Sequence, residues 1–121
     1  MADGNRLLGF TIPGRAARGR LVRLDTVLDE ILSAHAYPEP VARLLAETLA
    51  LTALLGALLR PEDGQLTVQA KGQGGPVTLM VADFRGWALR GYAAIDLDRR
   101  FAAGGETLAA LFGQGQLVLT L

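Results

Sequence analysis

The chain has 121 residues, of which half are apolar, a fifth are charged and 6% are aromatic. This composition is typical of one globular domain with a core of Leu, Val and Ala, and it excludes an intrinsically disordered chain. Twelve basic residues balance twelve acidic ones, which argues against a protein dedicated to nucleic acid, and the absence of cysteine excludes disulfides and thiolate metal sites within these residues.

The first two predicted elements form a hairpin. Apolar stretches at residues 7–12 and 17–24 flank Pro13-Gly14, which is typical of a turn between two strands. Residues 1–23 contain five arginines against Asp3 alone, a net charge of +4, and the other 98 residues carry −4. A local basic surface at Arg15, Arg18, Arg20 and Arg23 is therefore the basis of an alternative hypothesis, an RNA- or DNA-binding module.

Two helices are predicted next. Asp25 is the expected N-cap of a helix that ends near Ala34, because Tyr37 precedes a proline. A second helix is predicted over residues 40–59, in which only Arg43 and Glu47 are charged, four residues apart and so able to pair.

The second helix lacks a polar face, so it is predicted to be buried in the protein or to lie in a membrane. Its uncharged run, residues 48–59, is shorter than the roughly 20 residues that a bilayer requires, which favours burial between layers on both sides.

The rest of the chain is predicted to be mainly strand. Alternation from Leu66 to Lys71, then residues 77–84 and 87–95, predicts an antiparallel meander with a turn at 72–76. A short helix over 107–112 and a strand over 116–121 follow, and because the sequence stops within a strand pattern we expect a longer protein cut at this point. The predicted fold class is α+β, with antiparallel sheets packed around a buried apolar central helix in sheet/helix/sheet layers.

The sequence predicts no catalytic, cofactor-binding or metal-ligating residue and therefore no enzyme. His35 is the only histidine, and it is interpreted as a polar residue near a helix end. The glycines at 72–75 precede a strand rather than a helix, which predicts a hairpin turn and not a phosphate loop. Pairs of acids close in sequence are interpreted as solvated residues at element starts or in loops, with a bound cation at Asp96 and Asp98 as the alternative. The pairs are Asp29 with Glu30, Glu62 with Asp63, and Asp96 with Asp98.

Several motifs in the same order resemble one family, the redox-regulated thirty-three-kilodalton heat-shock chaperones. The run HAYPEPV at 35–41, with the leucine-rich residues 44–55, resembles the family's helix-break-helix motif, and RGRLVRL at 18–24 resembles its early strand. GQLTVQ at 64–69, GPV to VAD at 75–83 and RGYA at 90–93 resemble its sheet strands.

The resemblance spans residues 10–121, with departures. The turn at 72–76 is about one residue longer than usual for the family, and Arg60-Pro61 stands where a lysine and an apolar residue are common. Nothing corresponds to the second part of the family's sheet domain, its linker, or its C-terminal zinc-binding C-x-C and C-x-x-C cysteines. The whole chain, 1–121, is therefore interpreted as a truncated N-terminal client-binding domain.

The resemblance implies an ATP-independent holdase in the bacterial cytosol, which binds unfolded client proteins after oxidation releases zinc. It also implies a homodimer, in some members formed by exchange of elements, with no nucleic acid or membrane partner and no cofactor in this chain. Aromatic residues near one end of the meander are either core residues or an exposed patch. Under the second alternative the expected client contacts are Phe84, Trp87, Leu89 and Tyr92.

Overall fold

Two antiparallel sheets and three helices make up the computed structural model, which describes residues 4–59, 64–96, 98 and 107–121. Strands β1 and β2 pair as a hairpin, and the second sheet has the order β5-β4-β3-β6. The elements are β1 (Arg6–Ile12), β2 (Ala17–Arg23), α1 (Thr26–Ser33), α2 (Glu39–Gly56), β3 (Gln65–Gly74), β4 (Val77–Arg85), β5 (Ala88–Ile95), α3 (Leu108–Phe112) and β6 (Gly113–Thr120). A 3-10 turn, Pro13–Arg15, joins β1 to β2.

Helix α2 lies against one face of the four-stranded sheet. Strand alternation places apolar side chains such as Val68 and Met80 on that face, and they meet a fully buried stripe of α2. The stripe consists of Val41, Leu45, Leu49 and Ala53. Gly56 and Gly91 allow close approach, because a Cβ at Gly56 would collide with the Phe84 ring and one at Gly91 with Leu49. The predicted α+β class is confirmed.

The hairpin supplies a partial second layer on α2. Val22 and Leu24 pack against the same core cluster, and Arg20 Nη1 donates to the carbonyl oxygen of Ala57, just beyond the end of α2, at 3.3 Å. A cation at the carbonyl end of a helix is favourable because of the helix dipole.

The layers do not cover α2 all round, contrary to the expectation of burial on every side. Arg43, Glu47 and Leu51 recur at four-residue spacing and are exposed, with 48% of Leu51 accessible. The hairpin has only two strands, which leaves this stripe open. Arg43 pairs with Glu39, one turn earlier, at 2.7 Å, where the sequence had indicated only that Arg43 and Glu47 were able to pair. In the described part of the chain, no helix has the length and apolarity needed to cross a bilayer.

Local bonds set the helix boundaries. Asp25 precedes α1 as predicted, but its side chain makes no capping bond. Instead the buried Asn5 accepts from the Asp25 amide at 2.7 Å and donates to Thr26 Oγ1 at 2.9 Å, which ties the start of the hairpin to the start of α1. Helix α2 ends at Gly56 and not at residue 59, because the amides of Leu58 and Leu59 bond three residues back rather than four.

The turns of the meander lie near the predicted positions but have different limits, and Trp87, which was expected in the third strand, lies in a turn. Gly86 and Trp87 have φ of +55° and +67° and form a two-residue loop between the paired residues Arg85 and Ala88. A left-handed conformation costs a non-glycine residue roughly 1–2 kcal/mol. A hairpin turn does follow the glycine cluster, but β3 runs to Gly74 and β4 starts at Val77, so the turn predicted over 72–76 is confined to Gly75 and Pro76.

The buried and exposed stripes of α2 give a matched pair of substitutions. Leu49→Ala removes a side chain with no exposed surface, and we expect unfolding in urea to become easier by about 2–5 kcal/mol because a cavity forms. Leu51→Ala changes helix propensity by the same amount but lies on the half-exposed stripe. It is expected to lower the free energy of unfolding by about 1 kcal/mol or less. Equal losses in the two variants would show that the stripes are wrongly assigned.

Candidate functional site

An apolar groove runs between α2 and β6 on the helix-bearing side of the sheet. It encloses about 440 Å³, and Leu44, Thr48 and Leu51 form its α2 wall. Val68, Ala70 and Met80 form the floor, and Leu108, Phe112 and Leu117 form the opposite wall. Among the 14 residues that line the groove, Lys71 alone is charged.

The groove is open because α2 does not reach across the whole sheet. The helix packs mainly on β4, β5 and β3, whereas β6 lies beyond β3 at the sheet edge. Leu117 and Leu119 pair with Ala70 and Val68, so both leucines point to the helix side, where 63% of Leu117 remains exposed. The apolar face of the sheet therefore continues past the helix into solvent.

The chemistry of the groove favours apolar ligands without directional selection. Its one hydroxyl, on Thr48, already donates to the Leu44 carbonyl oxygen at 2.8 Å, as is usual within helices. Apart from Lys71, the lining offers only the side-chain amide of Gln116 as a further polar side chain. Binding here would depend on removal of apolar surface from water.

The four predicted contact residues do not form one surface. Phe84 and Leu89 are both buried, and the Phe84 ring contacts Trp87 edge-on, with 5.7 Å between centroids. Trp87 is half exposed in the turn, and Tyr92, also half exposed, lies on the opposite face of the sheet from Leu89. Contact with a client stays a prediction for this set, and Trp87 and Tyr92 are its exposed members.

The predicted basic surface is divided between the two sides of the hairpin. Arg18, Arg20 and Val22 lie on the same side of the hairpin, the side that faces α2, and Arg20 bonds to the end of that helix. Arg23 points to the other side, and Arg15 lies in the connecting turn. This division separates the arginines on which the nucleic-acid alternative depended.

A polar network occupies the outer face of the sheet around Asp83. Gln65 Nε2 and Thr67 Oγ1 donate to one carboxylate oxygen of Asp83 at 2.7 and 2.6 Å, and Arg90 Nη2 donates to the other at 2.9 Å. Burial of the Asp83 carboxyl acts to raise its pKa. The hydrogen bonds from Thr67, Arg90 and Gln65, together with the guanidinium charge, outweigh burial and hold the pKa below its ordinary value.

The remaining polar candidates lie apart. His35 is exposed after α1, with its ring 5.4 Å from that of Tyr37, whose hydroxyl accepts from the Ala93 amide. The Asp98 amide donates to Asp96 Oδ1 at 3.0 Å within a turn. Glu62 and Asp63 lie outside the described residues. In the ranges that the structure describes, no three His, Asp or Glu side chains converge as metal ligands do.

Sequence reasoning missed the groove itself. The alternating leucines of β6 and the absence of a polar face on α2 were the available signals. They show that Leu51 and Leu117 are apolar, but they do not show that these residues face each other across a space left open by the helix. Strand order, which places β6 beside β3, supplies that information.

Fold and groove together define a class, an α+β module that exposes a wide apolar surface. A family model described as Hsp33 protein matches residues 5–121. The chain belongs to the Hsp33 family, as the sequence motifs had indicated.

Relatives in several bacteria carry the name 33 kDa chaperonin. The chain is 43% identical over 120 residues to the one from Caulobacter vibrioides, which covers 93% of this chain and 38% of the relative. It is 45% identical over 105 residues to that of Shewanella loihica, an alignment that covers 86% of this chain and 35% of the relative. It is 34% identical over 122 residues to that of Yersinia pestis, which covers 100% of this chain and 40% of the relative. The chain thus spans less than half of these relatives. Their names place it in a chaperone family and point away from an enzyme.

The Asp83 network predicts a specific dependence of stability on pH. Because its pKa is lowered in the folded state, the carboxylate stabilises the fold above its unfolded pKa of about 3.8, and this contribution is lost as the pH falls through the folded value. At pH 7 we expect the free energy of unfolding in urea to be about 1 kcal/mol lower for Asp83→Asn than for the unaltered chain. This difference in free energy should narrow towards pH 2.

The exposed Glu47→Gln serves as the control for loss of a carboxylate. A gap between Asp83→Asn and the unaltered chain that stays constant from pH 7 to pH 2 would contradict the role given to ionised Asp83.

Proposed function

We propose that this chain is the client-binding part of an ATP-independent holdase chaperone, which holds unfolded polypeptide through the apolar groove between α2 and β6. The exposed groove is the observation that carries the proposal, and membership of a chaperone family supports it. No chemical step is involved. Binding replaces the contact of apolar side chains with water by contact with the groove.

The shape and lining of the groove suit this role. Its volume lies within the range of protein binding pockets, and burial of one large apolar side chain contributes about 1.5–3 kcal/mol. Because the lining has few polar groups, it imposes little requirement on the client's sequence beyond apolar character. A holdase needs such tolerance, since unfolded clients share exposed apolar residues and little else.

We further propose that the activity is redox-regulated in the cytoplasm by thiols outside these 121 residues. The chain has no cysteine, so its own residues do not fit a zinc-thiolate site, and any zinc would be held by residues outside this chain. The chain alone should then protect a client equally well under oxidising and reducing conditions.

Homodimer formation is proposed through the free edge of β6. In the described residues this strand pairs with β3 on one side, and its exposed leucines adjoin the other edge. Unpaired apolar edges favour pairing with a second copy, including by exchange of strands. Sedimentation velocity of the chain tests this: we expect a dimer that Leu119→Lys converts to monomer. A monomer at all concentrations would exclude it.

Substitutions at two walls of the groove test the holdase proposal. Leu51→Ser with Leu117→Ser should raise the concentration of chain needed to suppress aggregation of a heat-unfolded client by about fivefold, because two apolar contacts are lost. Leu51 is about half exposed and Leu117 more than half, so the thermal midpoint of the variant should change little. Light scattering of the client measures the effect.

Two variants serve as controls in the same assay. Leu58→Ser removes an equally exposed leucine outside the groove and should leave suppression unchanged. Trp87→Gly relieves the strain of the left-handed backbone conformation but loses the ring contact with Phe84. Because these two free energies are similar in size and opposite in sign, the stability of the variant should change little. Suppression lost in Trp87→Gly but kept in the groove variant would assign client binding to the aromatic set. Failure of the unaltered chain to suppress aggregation would remove the function.

A further inference from the structure

The outward side of the hairpin is a second apolar surface, separate from the groove. Side chains on this side come from alternate cross-strand pairs, Leu8 with Leu21, Phe10 with Gly19 and Ile12 with Ala17. Leu8, Phe10, Ile12 and Leu21 are 46–61% exposed. Together with the pair Arg6 and Arg23, these residues are called the hairpin face.

The hairpin face is unusual because the other side of the same hairpin already serves the core. Val22 packs against the α2 cluster and Arg20 bonds to the end of α2. A two-stranded sheet with one packed side normally has polar residues on the other. Here the outward side is apolar as well, and the Phe10 ring lies directly over Gly19. A contiguous exposed apolar surface of this kind marks a binding site.

Charge restricts what this surface can bind. Arg6 and Arg23 are direct cross-strand partners on the hairpin face, both exposed, and like charges placed opposite each other destabilise a strand pair. Arg15 lies in the turn at the far end, three residues after Ile12. Residues 4–24 include no Asp or Glu, and Asp25 follows with its carboxylate against Gly4, just beyond the pair Arg6 and Arg23. The surface is therefore an apolar strip with positive charge at each end.

A second copy of the same face is a poor partner for this strip. Two-fold pairing brings identical patches together, so the arginine-bearing ends would meet arginines. A partner that carries carboxylates beside an apolar stretch instead relieves the repulsion between Arg6 and Arg23 while it covers the leucines. The extended conformation of β1, about 3.3 Å per residue, matches an extended partner segment.

We propose that the hairpin face binds extended apolar segments of unfolded polypeptide that are flanked by acidic residues. This inference rests on the proposed holdase function and deepens it, because it gives the chain a client preference that the uncharged groove does not provide. Four residue steps separate Leu8 from Ile12, so the apolar part of the segment is about five residues long.

Peptide binding measured by fluorescence anisotropy tests the preference. The probes are two labelled peptides with one five-residue apolar core, flanked by aspartate pairs in the first and by lysine pairs in the second. We expect the unaltered chain to bind the aspartate peptide at least about fivefold more tightly at low salt, with the ratio falling towards one at 1 M salt.

Charge reversal at the face provides the matched variant. Arg6→Glu with Arg23→Glu replaces one like-charge pair by another, so the thermal midpoint should be kept while the preference inverts to the lysine peptide. If this variant does not fold, the comparison of the two peptides on the unaltered chain tests the charge preference by itself. Equal affinities for the two peptides, or an uninverted preference in a folded variant, would overturn the inference.

Other outcomes separate this inference from the holdase function. Suppression of client aggregation by the unaltered chain without any charge preference leaves the function standing and removes the inference, whereas absence of both suppression and peptide binding removes both. If a single-stranded RNA oligomer binds more tightly than the aspartate peptide, and peptides bind equally well without the apolar core, the inference is overturned in favour of nucleic acid. A dimer that Arg6→Glu with Arg23→Glu dissociates would overturn it in favour of self-association.

Discussion

Burial of one stripe of α2 against the four-stranded sheet is the interaction on which the rest of the structure depends. Val41, Leu45, Leu49 and Ala53 lose all contact with water there, and α1, the hairpin and α3 contribute further residues to the same cluster. The two close approaches at Gly56 and Gly91 bring helix and sheet near enough for this packing. Removal of this stripe would leave the sheet and the hairpin without a common core.

The same interaction explains why so much apolar surface remains exposed. A helix has one axis and covers a limited width of sheet, so β6 extends past it and the groove forms. The hairpin is held to the other elements through Val22, Arg20 and Asn5, which fixes its inner side and leaves its outer side uncovered. Both exposed surfaces thus follow from how elements are anchored, and the proposed binding of unfolded segments requires surfaces of this kind.

The two surfaces differ in what they can distinguish. The groove is almost uncharged, so it responds to apolar area alone. The hairpin face combines leucines with the opposed Arg6 and Arg23 and is therefore sensitive to the charge of its partner. The polar network around Asp83 lies on the outer side of the sheet, away from the groove, where it stabilises pairing of β3, β4 and β5 across their hydrogen-bonded edges.

The sequence alone determined the element order, the α+β class and the family, because alternation, proline and glycine positions and helix periodicity are local properties that neighbouring residues define. It also indicated that α2 has no polar face. Only the tertiary structure decided that Leu51 lies open, that Trp87 occupies a left-handed turn position, and that Asn5 rather than Asp25 holds the start of α1. These outcomes depend on which elements pack side by side across long sequence separations, and a pattern of single residues carries no record of which face another element will cover.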